Sequence, residues 1–442
     1  MRRSSYRWVI LICGVLAYST SYLTRWSYTG LASFISHDLH LEKSDLGVLG
    51  SAFFYTYALA QVPWGKCADR RGGRVVISLG VLLTAGGLAG FSLAHTFGEA
   101  VAWRMVIGVV AATVFVPVAG MLSRWFASEE RGLANGVYYG WGGGLGQVTA
   151  FLLLPVLHVY FLDNALFPVS GWQGAILFVA LLVAVLGLVC WMFLRSFPKE
   201  ISNSHEQSSH IVSPPVSKKG AESIIRDPVL WCLGGYFAAG VIALRLVPGW
   251  LTIYASELFQ NEGGFLQTEA VIAGGVIGTV YTVGHVIGSP VLGKISDVFI
   301  GRGLSRFALA SIILGLGAVS VTCLALPFAS PWMLAGVALL LGITLHAFPI
   351  LNAAVADRWG ERRTGQALGW INMLGQLAGA VALSVSGYLG EAWGSGSTGT
   401  AAGYAGIWYF AALACVIGAL CGWQAHRLSR RHRWKFHDDR GE

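Results

Sequence analysis

Two arginines, Arg25 and Arg245, lie deep inside otherwise uncharged apolar runs, and the charges around them are spaced almost alike. Arg7 precedes Arg25 by eighteen residues and Asp38 follows it by thirteen; Asp227 precedes Arg245 by eighteen and Glu257 follows it by twelve. At about 1.5 Å of rise per helical residue, each guanidinium would sit roughly 27 Å from one flanking charge and about 19 Å from the other, near mid-membrane. Snorkelling does not easily relieve a charge at that depth, because the side chain reaches only roughly 6 Å. An arginine at the centre of a spanning helix costs about 2.5 to 3.5 kcal/mol on insertion scales, so a matched pair points to a site for something negatively charged.

The elements that must position these arginines are membrane helices. The chain has 442 residues, 55% hydrophobic and only 12% charged, which is far outside the soluble range. Stretches of about 20 apolar residues recur twelve times. They fall near 8–28, 46–66, 75–95, 101–123, 133–157, 173–195, 229–255, 270–293, 306–327, 332–353, 365–388 and 403–425. With the N-terminus in the cytoplasm, 26 of the 30 Lys and Arg residues fall on the cytoplasmic side; Lys43 lies outside, and Arg25, Arg104 and Arg245 lie within segments. Arg104 is placed near the outer end of the fourth segment, within snorkelling distance of the interface. The net charge of +8 is thus accounted for by topology and calls for no nucleic-acid partner; anionic lipid headgroups would attract the tail from Arg427 to Arg433. The first apolar run continues through Trp26 and Tyr28 without a small-residue cleavage site and reads as a retained helix.

All 22 Asp and Glu residues fall in loops, tails or segment ends, which leaves His285 and His346 as the deep titratable groups. Each is either a proton-coupling residue or a hydrogen-bonded packing residue. The seven cysteines form no CxxC or Cys/His cluster, so neither disulfides nor a metal site is expected. No catalytic constellation and no cofactor loop appears, which excludes an enzyme and implies no cofactor.

Composition also divides the chain. Residues 1–195 form a first six-helix bundle, 196–227 a polar cytoplasmic linker rich in Ser, His, Pro and Lys, 228–426 a second bundle and 427–442 a basic cytoplasmic tail. The halves echo each other. The loop after the second segment carries Gly65, Asp69, Arg70, Gly73 and Arg74, and that after the eighth carries Gly293, Lys294 and Asp297, followed by Val298 where the first copy has Arg70. An acidic residue at a helix end with basic residues behind it can make interhelical ion pairs at the cytoplasmic face. Arg131 and Gly132 open the fifth segment much as Arg363, Thr364 and Gly365 open the eleventh. The glycines from Gly140 to Gly146 lie inside a spanning segment and read as close helix packing, not as a phosphate cradle.

With these motifs the chain resembles the major facilitator superfamily over nearly its whole length. The resemblance implies an all-α membrane fold of twelve helices in two pseudo-symmetric six-helix bundles around a central site reached alternately from either side. It also gives Gly65, Asp69, Arg70, Gly73, Arg74, Asp297 and Arg131 a gating role. Tyr18, Tyr22 and Arg25, and the run from Trp125 to Gly132, are similar to the organophosphate:phosphate antiporters, as are Leu244, Arg245, Trp250 and Tyr254. That likeness implies a phosphate clamped by Arg25 and Arg245 and a cavity lined by Tyr18, Tyr22 and Tyr57, with His346 one position from a cavity tyrosine. The antiporter lysine of the second segment corresponds to Gln61, and the histidine of the fifth to Gly142. Tyr57, Gln61, Pro63 and Gly65 are similar instead to the anion:cation symporters, which carry sugar acids and other carboxylates. Tyr138, Gln147, Asn352, Asn372 and Gln376 are further polar groups on segments expected to face the cavity, or else interhelical hydrogen-bonding residues.

The expected function is secondary transport of a small organic anion, an organophosphate or a sugar acid, by alternating access, with the anion bound between Arg25 and Arg245. Substrate charge would offset the repulsion of the two buried cations and so couple occupancy to closure. The absence of embedded carboxylates favours exchange against a counter-transported anion; proton symport would need His346, His285 or a substrate that carries the proton itself. A transporter-like anion sensor is a further alternative. The expected setting is the bilayer of a bacterial cytoplasmic membrane, with both termini inside and a monomeric chain.

Overall fold

The computed structural model describes residues 5–126, 128–163, 171–196, 226–301, 305–327, 330–395 and 399–438, apart from the side chains of some helical positions. Nearly all of the expected linker lies outside the described residues.

Among the described residues the elements are helices only. In chain order they are α1 (Tyr6–Gly30), α2 (Ala32–Leu39), α3 (Lys43–Arg71), α4 (Gly73–Ser92), α5 (Phe97–Trp125), α6 (Ser128–Val148), a π turn (Thr149–Leu153) and α7 (Leu154–Asp163). There follow α8 (Gly171–Phe193), α9 (Pro228–Asn261), α10 (Gln267–Gly301), α11 (Arg306–Cys323), α12 (Pro331–Leu345), α13 (Phe348–Gly394) and α14 (Thr400–Asp438). Ten stretches of these helices are long and apolar enough to cross a membrane, and α3 and the shorter α12 complete the twelve expected segments. Large apolar side chains such as Leu181, Leu188 and Leu413 stay exposed along them, as a lipid-facing surface requires. Polar caps mark several ends: the Thr96, Ser305 and Ser330 hydroxyls accept from the backbone N–H three residues on.

The tenth and eleventh segments differ from expectation. The tenth ends at Leu345, and α13 then runs unbroken from Phe348 to Gly394 through the stretch read as a loop. Pro349 in the first turn of α13 explains the break, since it has no N–H to donate and disfavours helical geometry in the residue before it. The expected loop contains no proline and holds two Ala, three Arg and one Glu, which favour a helix. Arg363 to Gly365 therefore lie inside a helix and do not open one. The tail behaves similarly, because α14 continues to Asp438.

The chain forms two compact units: Met1–Val212 with Gly249–Thr282, and Ser213–Pro248 with Val283–Glu442. In the first, α3 packs along α5, α4 along both α5 and α8, and α1 along α6 and the π turn. Glycine permits close backbone approach at Gly30 and Gly275, where a Cβ would overlap the π-turn carbonyls of Ala150 and Phe151. Lys43 pairs with Glu257 at 3.5 Å in the same unit. In the second unit α14 packs along α11 and α13.

Candidate functional site

Helical periodicity places Tyr18, Tyr22 and Arg25 on one face of α1. The π faces of four rings surround the guanidinium, whose carbon lies 4.4 Å from the Tyr22 centroid, 5.1 Å from Tyr57, 5.7 Å from Phe54 and 6.0 Å from Phe53. Tyr18 extends the cluster, 5.1 Å from Tyr22 and 4.6 Å from Tyr138 between ring centroids. Tyr138 is itself fixed, its hydroxyl donating to the Phe115 carbonyl at 3.1 Å. Four of the expected site tyrosines, Tyr18, Tyr22, Tyr57 and Tyr138, thus converge around Arg25. Gly142 also belongs here: a Cβ would stand 3.0 Å from the Tyr18 ring and from the Val15 carbonyl. The space that a histidine would need at this position is filled by Tyr18.

Arg25 is only 4% exposed, its Nε has no hydrogen-bond partner, and no ion pair reaches it among the described residues. Cation–π contacts contribute about 0.5 to 2 kcal/mol each and do not saturate the donors of a guanidinium. A buried, unpaired cation carries a penalty of several kcal/mol, which an arriving anion would relieve.

Arg104 is the opposite case, and it corrects the snorkelling expectation. It is fully buried and turns inward. Its Nη1 donates to the Thr24 carbonyl at 2.5 Å, Nη2 to the Arg25 carbonyl at 3.1 Å and Nε to the Leu49 carbonyl at 3.2 Å. A carbonyl has two lone pairs, so the helical hydrogen bond need not be given up. Arg104 therefore ties α5 to α1 and α3 at the residue whose guanidinium the aromatic rings surround. Sequence reading missed this role because backbone acceptors leave no signature in side-chain type.

The second unit holds Arg245, 7% exposed, whose Nη2 donates to Gln376 Oε1 at 2.6 Å. Gln376 Nε2 in turn donates to Asn372 Oδ1 at 3.2 Å, one turn earlier on α13. Gly379, one turn nearly further along, makes room for the arginine stem, since a Cβ there would lie 2.9 Å from Arg245 Cγ. His346, at the break between α12 and α13, lies within electrostatic reach of Arg245 and stacks on His285. The structure thus brings together Arg245, Gln376, Asn372 and His346.

Other expected residues are placed less centrally. Gln61 is half-buried one turn beyond Tyr57 and has no hydrogen-bond partner among the described residues. Gly65 and Gly73 lie beside Val116 and the Pro117 carbonyl of α5, 3.7 Å from where a Cβ would stand. Arg70 is exposed, while Arg74 donates through Nε to the Trp191 carbonyl at 3.0 Å. The side chains of Asp69, Arg131, Asn352 and Asp297 lie outside the described residues. Two ion pairs that sequence reading did not anticipate tie the first turn of a bundle to a later helix: Arg7 to Glu130 at 2.7 Å, and Asp227 to Arg358 at 3.0 Å. They occupy corresponding places with the charges exchanged.

Comparison with known proteins makes this a membrane transporter, not an enzyme. The family model of the Major Facilitator Superfamily matches residues 14–278 and again 268–440, so the chain belongs to that superfamily. Among relatives, it is similar to the probable galactarate/D-glucarate transporter GudP of Bacillus subtilis (strain 168), 24% identical over 417 residues that cover 89% of this chain and 88% of that protein. It is likewise similar to the membrane sensor protein UhpC of Escherichia coli (strain K12), 25% identical, covering 84% of this chain and 83% of the relative. A probable hexose phosphate transport protein of Chlamydia pneumoniae, 25% identical, matches over 42% of this chain and 39% of its own length. The solved inward-facing, unoccupied structure of a bacterial homolog of the human lysosomal transporter Spinster shares the fold, with a TM-score of 0.76 at 19% identity over 96% of this chain and 98% of that one.

Proposed function

We propose that this protein is a secondary transporter of small organic anions in a bacterial cytoplasmic membrane, with sugar acids as its leading substrate class and Arg25 and Arg245 as its anion contacts. The carrying observation is the buried Arg25 guanidinium, held by aromatic faces with its Nε unpartnered and, among the described residues, no carboxylate paired to it. An anion carboxylate can accept paired, charge-assisted hydrogen bonds from such a fork, and the surrounding tyrosines supply hydroxyls for a polyol chain. The likeness to a probable galactarate/D-glucarate transporter over most of both chains favours sugar acids over organophosphates, whose printed relative matches less than half of this chain.

Thermal stabilisation of the purified protein tests binding. D-glucarate and galactarate at about 100 times the dissociation constant should each add about 2.7 kcal/mol of stability, and Arg25→Ala should abolish the gain. Stabilisation by glucose 6-phosphate alone would move the substrate class to organophosphates, and equal stabilisation of Arg25→Ala would overturn the site. A second reading, an anion sensor, is favoured by the likeness to UhpC. Binding without counterflow in proteoliposomes would establish that reading in place of transport.

A further inference from the structure

Tyr138 and Tyr139 are neighbours on α6 with opposite surroundings. Tyr138 is fully buried and commits its hydroxyl to the Phe115 carbonyl at 3.1 Å. Tyr139 is 39% exposed, and its hydroxyl has no hydrogen-bond partner among the described residues. Three rings hold it, with centroids 5.0 Å away at Tyr138, 5.4 Å at Phe115 and 5.9 Å at Tyr18. It also lies within electrostatic reach of Tyr22 and Tyr57, the two tyrosines that flank the Arg25 guanidinium.

That exposure is not toward lipid. At about 100° per residue, Tyr139 stands roughly 160° around α6 from Trp141 and about 120° from Leu145, whose large side chains are 62% and 51% exposed. Its side is instead the one that packs on α1, where a Cβ at Gly142 would stand 3.0 Å from the Tyr18 ring and one at Gly143 3.4 Å from the Tyr22 ring. One turn toward the Ser128 end, at Gly136, a Cβ would meet nothing within 4 Å. The same face of the helix is therefore filled beside Tyr22 and open beside Tyr139. A side chain on a packed face that remains exposed borders an internal space, and here that space adjoins the Arg25 cluster.

The two polar groups that border it differ in chemistry. A guanidinium only donates and suits a carboxylate, whereas a phenol both donates and accepts, as an alcohol does. We propose that Tyr139 is a specificity-determining contact, which exchanges hydrogen bonds with the hydroxyl groups of an anion whose carboxylate Arg25 holds. The site then prefers a polyhydroxy acid to a plain dicarboxylate of the same length. The inference rests on the proposed function in taking Arg25 as the carboxylate contact, and it names the group that tells sugar acids from other organic anions. Because Tyr139 is half exposed, water serves its hydroxyl when a plain dicarboxylate is bound. Discrimination is therefore moderate, roughly two- to tenfold, the net contribution of one neutral hydrogen bond.

The test is isothermal titration of the purified full chain with D-glucarate and with adipate, which has the same carbon chain and no hydroxyl groups. Wild type should bind D-glucarate more tightly. Tyr139→Phe keeps the ring and its packing and removes one oxygen; it should weaken D-glucarate by about two- to tenfold and leave adipate unchanged. Unchanged D-glucarate affinity in that variant, or an equal loss for both acids, overturns the contact and leaves the anion site at Arg25 standing. Wild type that binds both acids equally also overturns it. Wild type that binds neither removes the sugar-acid reading, and the role of Tyr139 with it. Should Tyr139→Phe fail to fold, nitration of wild type by tetranitromethane decides: saturating D-glucarate should slow modification of Tyr139, and an unchanged rate overturns the contact.

Discussion

Arg25 and Arg245 occupy matching places in sequence but are held by opposite chemistry. Arg25 rests among Tyr22, Tyr57, Phe53 and Phe54, whose π faces attract its charge, with the Tyr57 hydroxyl also within hydrogen-bond reach. Arg245 is anchored through Gln376 and backed by a stacked histidine pair. A ring of π faces keeps a guanidinium charged and leaves its donors open, whereas an amide fixes its direction and imidazoles make its surroundings titratable. On the proposed reading, Arg25 is the more open of the two anion contacts and Arg245 the more firmly oriented.

Breaking the first side of the contrast should have the largest effect. Arg25→Ala removes a charge-assisted fork with no replacement nearby, and isothermal titration with D-glucarate should show a loss of about hundredfold or more, from roughly 3 to 5 kcal/mol of binding. Next, Gln376→Glu would give Arg245 an internal carboxylate in place of the amide. It should weaken D-glucarate by roughly ten- to 150-fold, because hydrogen bonds to charged groups contribute about 1.5 to 3 kcal/mol. Unchanged affinity in that variant would remove Arg245 from the anion site.

Arg104→Gln separates the braced arginine from the open one. It leaves three backbone carbonyls without their extra donor, and thermal denaturation should show a loss of about 1 to 3 kcal/mol whether or not anion is present. Gly379→Ala is milder: the added methyl presses on the Arg245 stem, with an overpacking cost of about 1 to 3 kcal/mol shared between stability and affinity. The smallest effect belongs to the half-exposed pair at the start of α1. Arg7→Ala should change stability by only about 0.2 to 1 kcal/mol, as exposed ion pairs do, measured by the same denaturation.

Much of this molecule was legible before folding. Apolar length located the membrane segments, because a bilayer has a fixed thickness. Helical period alone put Tyr18, Tyr22 and Arg25 on one face. The resemblance of the loop from Gly65 to Arg74 to a family signature gave the two-bundle fold, which the family match bears out. Boundaries were less legible where polar residues favour a helix: the stretch from Val355 to Gly365 looks like a loop by hydropathy yet continues α13.

Contacts between distant positions were decided by the tertiary structure. Arg104 and Thr24 are eighty residues apart, and a guanidinium that binds backbone carbonyls leaves no mark in its partners' side chains. His285 and His346 were each visible as deep titratable groups, but their stacking depends on how α10 packs near the break before α13. The pairs Arg7 with Glu130 and Asp227 with Arg358 likewise needed the fold, since either member alone reads as a topology charge. The sequence by itself determined that two cations are buried at membrane depth, because burial there follows from local hydrophobicity and length. Which neighbours hold each of them follows from ring faces and acceptors that only folding brings into contact.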